Sequence, residues 1–158
     1  MFSTLMFSTS AFAQIVGELV QRNGLYYERR GTTPITGTHK TFTSSGGYYI
    51  TTYKDGIKEG PFKEHYPNGQ LYLKSTYKNG KIDGLLEGYH KNGQLGTKST
   101  MKDGKLDGPF ETYYENGQLQ VRTTMKGSGM DGLTEGYNVN GRLMKKCFYE
   151  DGKESYCE

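Results

Sequence analysis

Apolar and polar positions fall into short runs separated by glycine-bearing turn signals. In residues 101–124, Lys102-Asp103-Gly104-Lys105 and Glu115-Asn116-Gly117-Gln118 are the breaks. Asp-Gly and Asn-Gly tolerate positive φ, which the favoured hairpin turns require. Between the breaks lie two runs of strand length, about six residues each. Phe110, Tyr113 and Tyr114 dominate the first run, and Leu119, Val121 and the Thr123-Thr124 pair dominate the second. These are strand-forming types, and the glycines leave no helical stripe at i, i+3, i+4. The pattern predicts an antiparallel hairpin.

The same hairpin is written four times without a gap, at residues 53–76, 77–100, 101–124 and 125–148, and a shortened fifth block opens at Tyr149. A fixed period implies one supersecondary unit stacked on copies of itself. Read by column, Gly60, Gly84, Gly108 and Gly132 recur, each after an acidic residue: Glu59, Asp83, Asp107 or Asp131. A glycine inside a strand-like unit marks a bend, a bulge or a close backbone approach. Asn68-Gly69, Asn92-Gly93, Asn116-Gly117 and Asn140-Gly141 form hairpin tips. Leu71, Leu95, Leu119 and Leu143 make one apolar row. Phe62, Leu86 and Phe110 make a second that ends at Thr134, and His65, Tyr89, Tyr113 and Tyr137 a third. Stacking turns these rows into cross-strand ladders, each pair worth about 0.2–1 kcal/mol. In the last full block Gly127-Ser128-Gly129 replaces the usual turn and Thr134 the large apolar residue, so this hairpin is expected to be the loosest.

The expected fold is therefore all-β, an elongated single-layer antiparallel meander of tandem hairpins. Residues 14–52 are a degenerate leader, with Asn23-Gly24 as one turn and an irregular hairpin from Pro34 through Gly46-Gly47 to Tyr49. Residues 53–148 are the four repeats, and residues 149–158 a truncated capping strand. Atypical end units suit a solenoid, whose edges must be blunted.

Composition agrees with a thin sheet. Only 33% of residues are hydrophobic and the mean hydropathy is -0.78. The 14 Tyr and 7 Phe nevertheless supply wide apolar faces, and a net charge of +3 gives no strong field. Charges alternate along the blocks, as on solvated strand faces rather than a nucleic-acid surface. No apolar run approaches the roughly 18 residues of a membrane span. Residues 1–13 carry no charge and end in Ala11-Phe12-Ala13, the pattern of a signal-peptidase site, although the n-region lacks Lys or Arg. They imply export to the periplasm or cell surface if they are a signal peptide, and a cytoplasmic protein with a frayed terminus if not.

Catalytic signatures are missing. His39, His65 and His90 lie in different units without a second His or Cys at metal-ligand spacing. The glycines belong to turns and not to phosphate loops or nucleophile elbows. Glu87, Glu111 and Glu135 occupy one repeat column, as in a solvated ladder, and not a catalytic pair. No cofactor, metal or enzymatic activity is expected. Cys147 and Cys157 stand symmetrically about Gly152, which places them on opposing strands. A bridge there would contribute about 2–3 kcal/mol in an oxidising compartment, and two free thiols are the alternative.

The pattern D/N-G-K-x-D-G-P/L-F/L-E-x-Y-x-x-N-G-Q-L resembles the bacterial MORN-repeat variant of the YwqK family of antitoxins. The leader LVQRNGLYYERRGTTPITGT, with Pro34 and Thr36-Gly37, is similar to that family's N-terminal segment. The resemblance spans residues 19–154 and implies a sheet of hairpins that neutralises a toxin by binding it, without catalysis. A protein partner is thus expected, with Tyr66, Tyr89, Tyr113, Tyr114 and Tyr137 as candidate contacts, since tyrosine offers large area at low entropic cost. The alternative is a cell-envelope module that binds glycans or surfaces between rings, which such modules achieve mostly with Trp, and this chain has none. Attachment to lipid would need a polybasic cluster that the sequence lacks.

Overall fold

The computed structural model describes residues 15–16 and 18–158; the expected signal segment, residues 1–13, lies outside them. The leader contributes β1 (Ile15–Val16), β2 (Leu19–Arg22), β3 (Leu25–Glu28) and β4 (Gly37–Phe42). Then follow β5 (Tyr48–Lys54), β6 (Ile57–His65), β7 (Leu71–Lys78), β8 (Lys81–Ile82), β9 (Gly84–Tyr89) and β10 (Leu95–Lys102). The rest are β11 (Lys105–Tyr113), β12 (Leu119–Lys126), β13 (Gly129–Met130), β14 (Gly132–Tyr137), β15 (Leu143–Glu150) and β16 (Lys153–Cys157). Among the described residues the fold is all-β. From β4 onward the strands follow chain order in one antiparallel sheet, with β8 beside β7 and β13 beside β12. Two features lie outside the simple meander: β1 pairs in parallel with β4, and β2–β3 form a separate hairpin.

Two turn types alternate along the chain. Asp55-Gly56, Asn79-Gly80, Asp103-Gly104 and Asp151-Gly152 have positive φ at both residues, for example 49° and 78° in the first. That is the type I′ geometry whose twist matches paired strands. Gly127-Ser128 takes the same turn with φ of 58° and 74°, so the odd block keeps its hairpin with serine in a position that favours glycine. The Asn-Gly tips differ from the expectation. Gly69 has φ of 83°, while Asn68 keeps an ordinary φ. Its side chain instead accepts from Gln70 N at 3.1 Å, while Gly69 N donates to Tyr66 O. Asn68, Asn92 and Asn116 act through the side-chain acceptor, which closes a local turn, whereas at the last tip Asn138 accepts from Asn140 N and Arg142 N.

The recurrent glycine of the strand marks a bulge. Thr51 faces Phe62 and Tyr53 faces Lys58, so four residue steps on β6 oppose two on β5. Gly60 sits in this excess with φ of 99°. The bulge pushes out the preceding acid, and Glu59 accepts from Asn79 N of the next turn at 2.6 Å. Asp83 and Asp131 do the same for Asp103 N and Asp151 N. Glu59, Asp83 and Asp131 are therefore structural, each tying its unit to the next, while at the Gly127-Ser128 turn Ser128 Oγ accepts from Leu106 N instead. At the opposite margin Tyr66 donates to Tyr89 O, His90 Nε2 to Tyr113 O and Tyr114 to Tyr137 O, at 2.9, 2.7 and 2.9 Å.

One face carries the core row. Register pairs His39 with Thr51, Thr51 with Phe62, Phe62 with Ser75, Leu86 with Ser99, Ser99 with Phe110, and Phe110 with Thr123. The small members repeat at the period of the chain. Thr51, Ser75, Ser99, Thr123 and Cys147 are all buried, with exposures from 1% to 8%. A single sheet buries them because larger neighbours lean over each small residue. The leader closes the first unit: Tyr26 meets Tyr53 at 5.1 Å, and Tyr53 is 4% exposed. A Cβ on Gly56 would stand 2.9 Å from Pro34 Cβ, so only glycine admits this docking.

Candidate functional site

The opposite face carries the charges. Residues paired across neighbouring antiparallel strands point to the same side of a sheet. The register gives Lys74 opposite Glu87, Glu87 opposite Lys98, Lys98 opposite Glu111, Glu111 opposite Arg122, Arg122 opposite Glu135, and Glu135 opposite Lys146. Lys146 Nζ then lies 3.6 Å from Glu158 Oε1. Cation and carboxylate alternate strictly across seven strands, β7 to β15, and Glu158, just past β16, ends the row.

This ladder is less solvated than the spacing suggested. Glu87 and Glu111 side chains are 15% and 20% exposed, and they bond Lys74 Nζ at 2.5 Å and Arg122 Nε at 3.0 Å. The cause is the tyrosine two residues further along the same strand, which lies over the acid. Tyr89, Tyr113 and Tyr137 donate to Glu87, Glu111 and Glu135 at 3.2, 2.6 and 3.0 Å. The Lys74 ammonium, seconded by the Tyr89 hydroxyl, holds the Glu87 carboxyl below its usual value. For Glu111 the Tyr113 hydroxyl leads and Arg122 adds to it. Burial and the Glu111 carboxylate push the Tyr113 phenol up to about 12.

The five candidate tyrosines thus fall into two groups. Tyr89, Tyr113 and Tyr137 form one row along the charge ladder. Tyr66 and Tyr114 belong to the margin where units are joined. All five are half-buried rather than exposed, and every hydroxyl is engaged within the protein. What they offer a partner is ring surface. On the other side of the ladder the same face exposes Leu85 (49%), Leu133 (38%) and Phe148 (52%).

The remaining residues with chemistry are dispersed. His39 lies buried in the core row, His65 stacks on Tyr48 and His90 serves as a staple. Cys147 and Cys157 are joined, Sγ to Sγ, at 2.06 Å between β15 and β16. Glu154 lies close by and completes a set of three potential donors, but bridged sulfurs offer no thiolate to a metal.

The family model of the MORN repeat variant matches residues 58–79 and 106–126. Each segment runs from a bulge through an Asn-Gly tip and along the returning strand. No curated protein matches the chain. MORN repeats are in general protein- or membrane-binding modules without catalytic function. The missed signal was the Lys74, Lys98, Arg122 and Lys146 column. It repeats as regularly as the glutamates, but only the register shows that the two columns interleave.

Proposed function

We propose that this protein is a non-catalytic module that binds and neutralises a partner protein, in the manner of an antitoxin or immunity protein. One observation carries the reading. A single sheet face presents a tyrosine row and a fixed charge ladder that recur over three units, beside exposed Leu85, Leu133 and Phe148. Aromatic area beside ordered charge is the composition of a recognition surface. The repeat-variant matches and the sequence resemblance to the YwqK antitoxins support the same reading. The joined Cys147 and Cys157 support an oxidising compartment, and so export.

The test is co-expression with the product of the neighbouring reading frame. Expected is a protein that impairs growth alone, is tolerated with this chain, and elutes with it as one complex. A neighbouring product that is harmless and unbound, with retention of this chain on isolated cell wall, would replace the reading with envelope binding.

A further inference from the structure

The charge ladder breaks its own rule at one end. Where three units carry Glu87, Glu111 and Glu135, the first carries Lys63, and where they carry Tyr89, Tyr113 and Tyr137 it carries His65. The Glu-x-Tyr of the repeat has become Lys-x-His. Lys63 stands directly opposite Lys74, whose ammonium is already taken by Glu87. Across the other neighbour, Ile50, the next residue in line is Lys40. The order along the line is therefore Lys40, Ile50, Lys63, Lys74, and Lys63 has no carboxylate partner among the described residues.

Rings surround Lys40. Lys40 Nζ lies 3.7 Å from the Tyr48 centroid and 5.1 Å from that of Phe42. Tyr48 stacks on His65 at 4.5 Å and 12°, and Phe42 is 62% exposed. His65 Nδ1 is buried without a hydrogen-bond partner among the described residues. Burial, then Lys63 and Lys40, lower the His65 pKa, so the local field is positive.

Two of these features cost stability. Like charges directly opposite in a sheet repel, and a buried polar atom without a partner loses its hydration uncompensated. The same chain shows the cheaper solution three times. Local violations of a rule obeyed elsewhere belong at functional positions.

We infer that Phe42, Tyr48, Lys40, Lys63 and His65 form a docking site for an acidic, extended segment of a partner polypeptide. The inference rests on the protein-binding reading above and names the chemistry of that partner. Neighbouring strands are about 4.8 Å apart, which puts the Lys40 and Lys63 positions roughly 10 Å apart on either side of Ile50. An extended chain advances about 3.3 Å per residue and its side chains share a face only at even spacings, so carboxylates four positions apart, about 13 Å, lie within reach of both flexible lysines. The side chain midway between them, on the same face, is apolar and covers Ile50, and a flanking aromatic leans onto Phe42, which stands beside Lys40 along β4. A lone phosphate spans neither the separation nor the rings.

The test uses the full chain with its disulfide intact and a fluorescent peptide carrying glutamates four positions apart, an apolar residue midway and a flanking phenylalanine. Its glutamine counterpart, phosphatidylglycerol vesicles and single-stranded DNA serve as competitors. Expected is binding of the glutamate peptide that weakens with salt, is lost in the glutamine counterpart and falls about tenfold in Lys63→Glu, the loss of one ion pair worth 1.4 kcal/mol. Lys105→Glu, at the far turn margin, is expected to bind as the parent does. Lys63→Glu restores the repeat's own residue, so a melting temperature at or above the parent's excludes misfolding as the cause. Equal binding of both peptides, an unchanged Lys63→Glu affinity, or displacement by vesicles or DNA at lower concentration than by the unlabelled peptide overturns the inference. A partner found by co-expression that binds Lys63→Glu as tightly as the parent overturns this site alone and leaves the protein-binding function standing.

Discussion

The two ends of the sheet are built from the same unit and are finished in opposite ways. Toward β16 every cation faces a carboxylate, the last pair being Lys146 and Glu158, and the Cys147–Cys157 bridge closes the edge. Toward β4 the line runs through Lys63 and Lys40 with no acid between them, and a separate hairpin docks through Tyr26 onto Tyr53. The difference teaches that the repeat does not dictate what its charges do. In one half they pair with each other and stabilise the meander; in the other Lys63 and Lys40 meet no carboxylate among the described residues.

The largest expected effect tests the finished end. Cys147→Ser places at 147 the residue type that Ser75 and Ser99 already supply in the same buried column, so packing is kept and only the bridge is lost. Chain-entropy arguments for so short a loop give a loss of about 2–3 kcal/mol. Thermal unfolding with and without reductant checks it: reductant should lower the parent to the variant's midpoint and leave the variant unmoved.

A smaller loss is expected on copying the basic break into the ladder's middle. Glu111→Lys removes the bonds to Arg122 and Tyr113 and sets a third cation between Lys98 and Arg122. Denaturant unfolding should show a loss of about 1.5–2 kcal/mol, the lower part of the range for hydrogen bonds to a charged group because Arg122 is more than half exposed. Acid should act in the same direction on the parent. Glu87 and Glu111 are held below the ordinary 4.5, so their contribution is fully present above that value. It is lost as pH falls below 4.5 through the depressed values. A denaturation midpoint independent of pH across that interval would contradict a stabilising ladder.

The smallest effect is a gain. Lys63→Glu puts a carboxylate opposite Lys74 and should raise stability by about 0.2–1 kcal/mol, the scale of one cross-strand charge pair. The same substitution is expected to weaken binding, which is the signature of a site kept at the expense of stability. A loss of stability in this variant would mean that the lysine is structural and would erase the contrast between the ends.

Much of this was legible in the residues. The Asp-Gly and Asn-Gly pairs, the strand-length runs and the bulge glycine specify a meander of hairpins, because turn chemistry and strand propensity act over a few residues. The tyrosine row and the Phe62, Leu86 and Phe110 row were equally visible as columns. Other features were not. The buried Thr51, Ser75, Ser99, Thr123 and Cys147 look like ordinary polar strand positions, and Tyr66 and Tyr114 look like surface rings until their hydroxyls are seen to bond the next unit.

The sequence by itself determined the period, the turns, the all-β class and the identity of each column. Only the tertiary structure decided which columns face one another and on which side of the sheet. The physical reason lies in the bulges: extra residues at Glu59, Gly60 and their equivalents shift register, so simple alternation cannot be counted through them. Once the register is set, Lys74 meets Glu87 and Lys63 meets Lys74, and the repeat acquires a paired end and an open one.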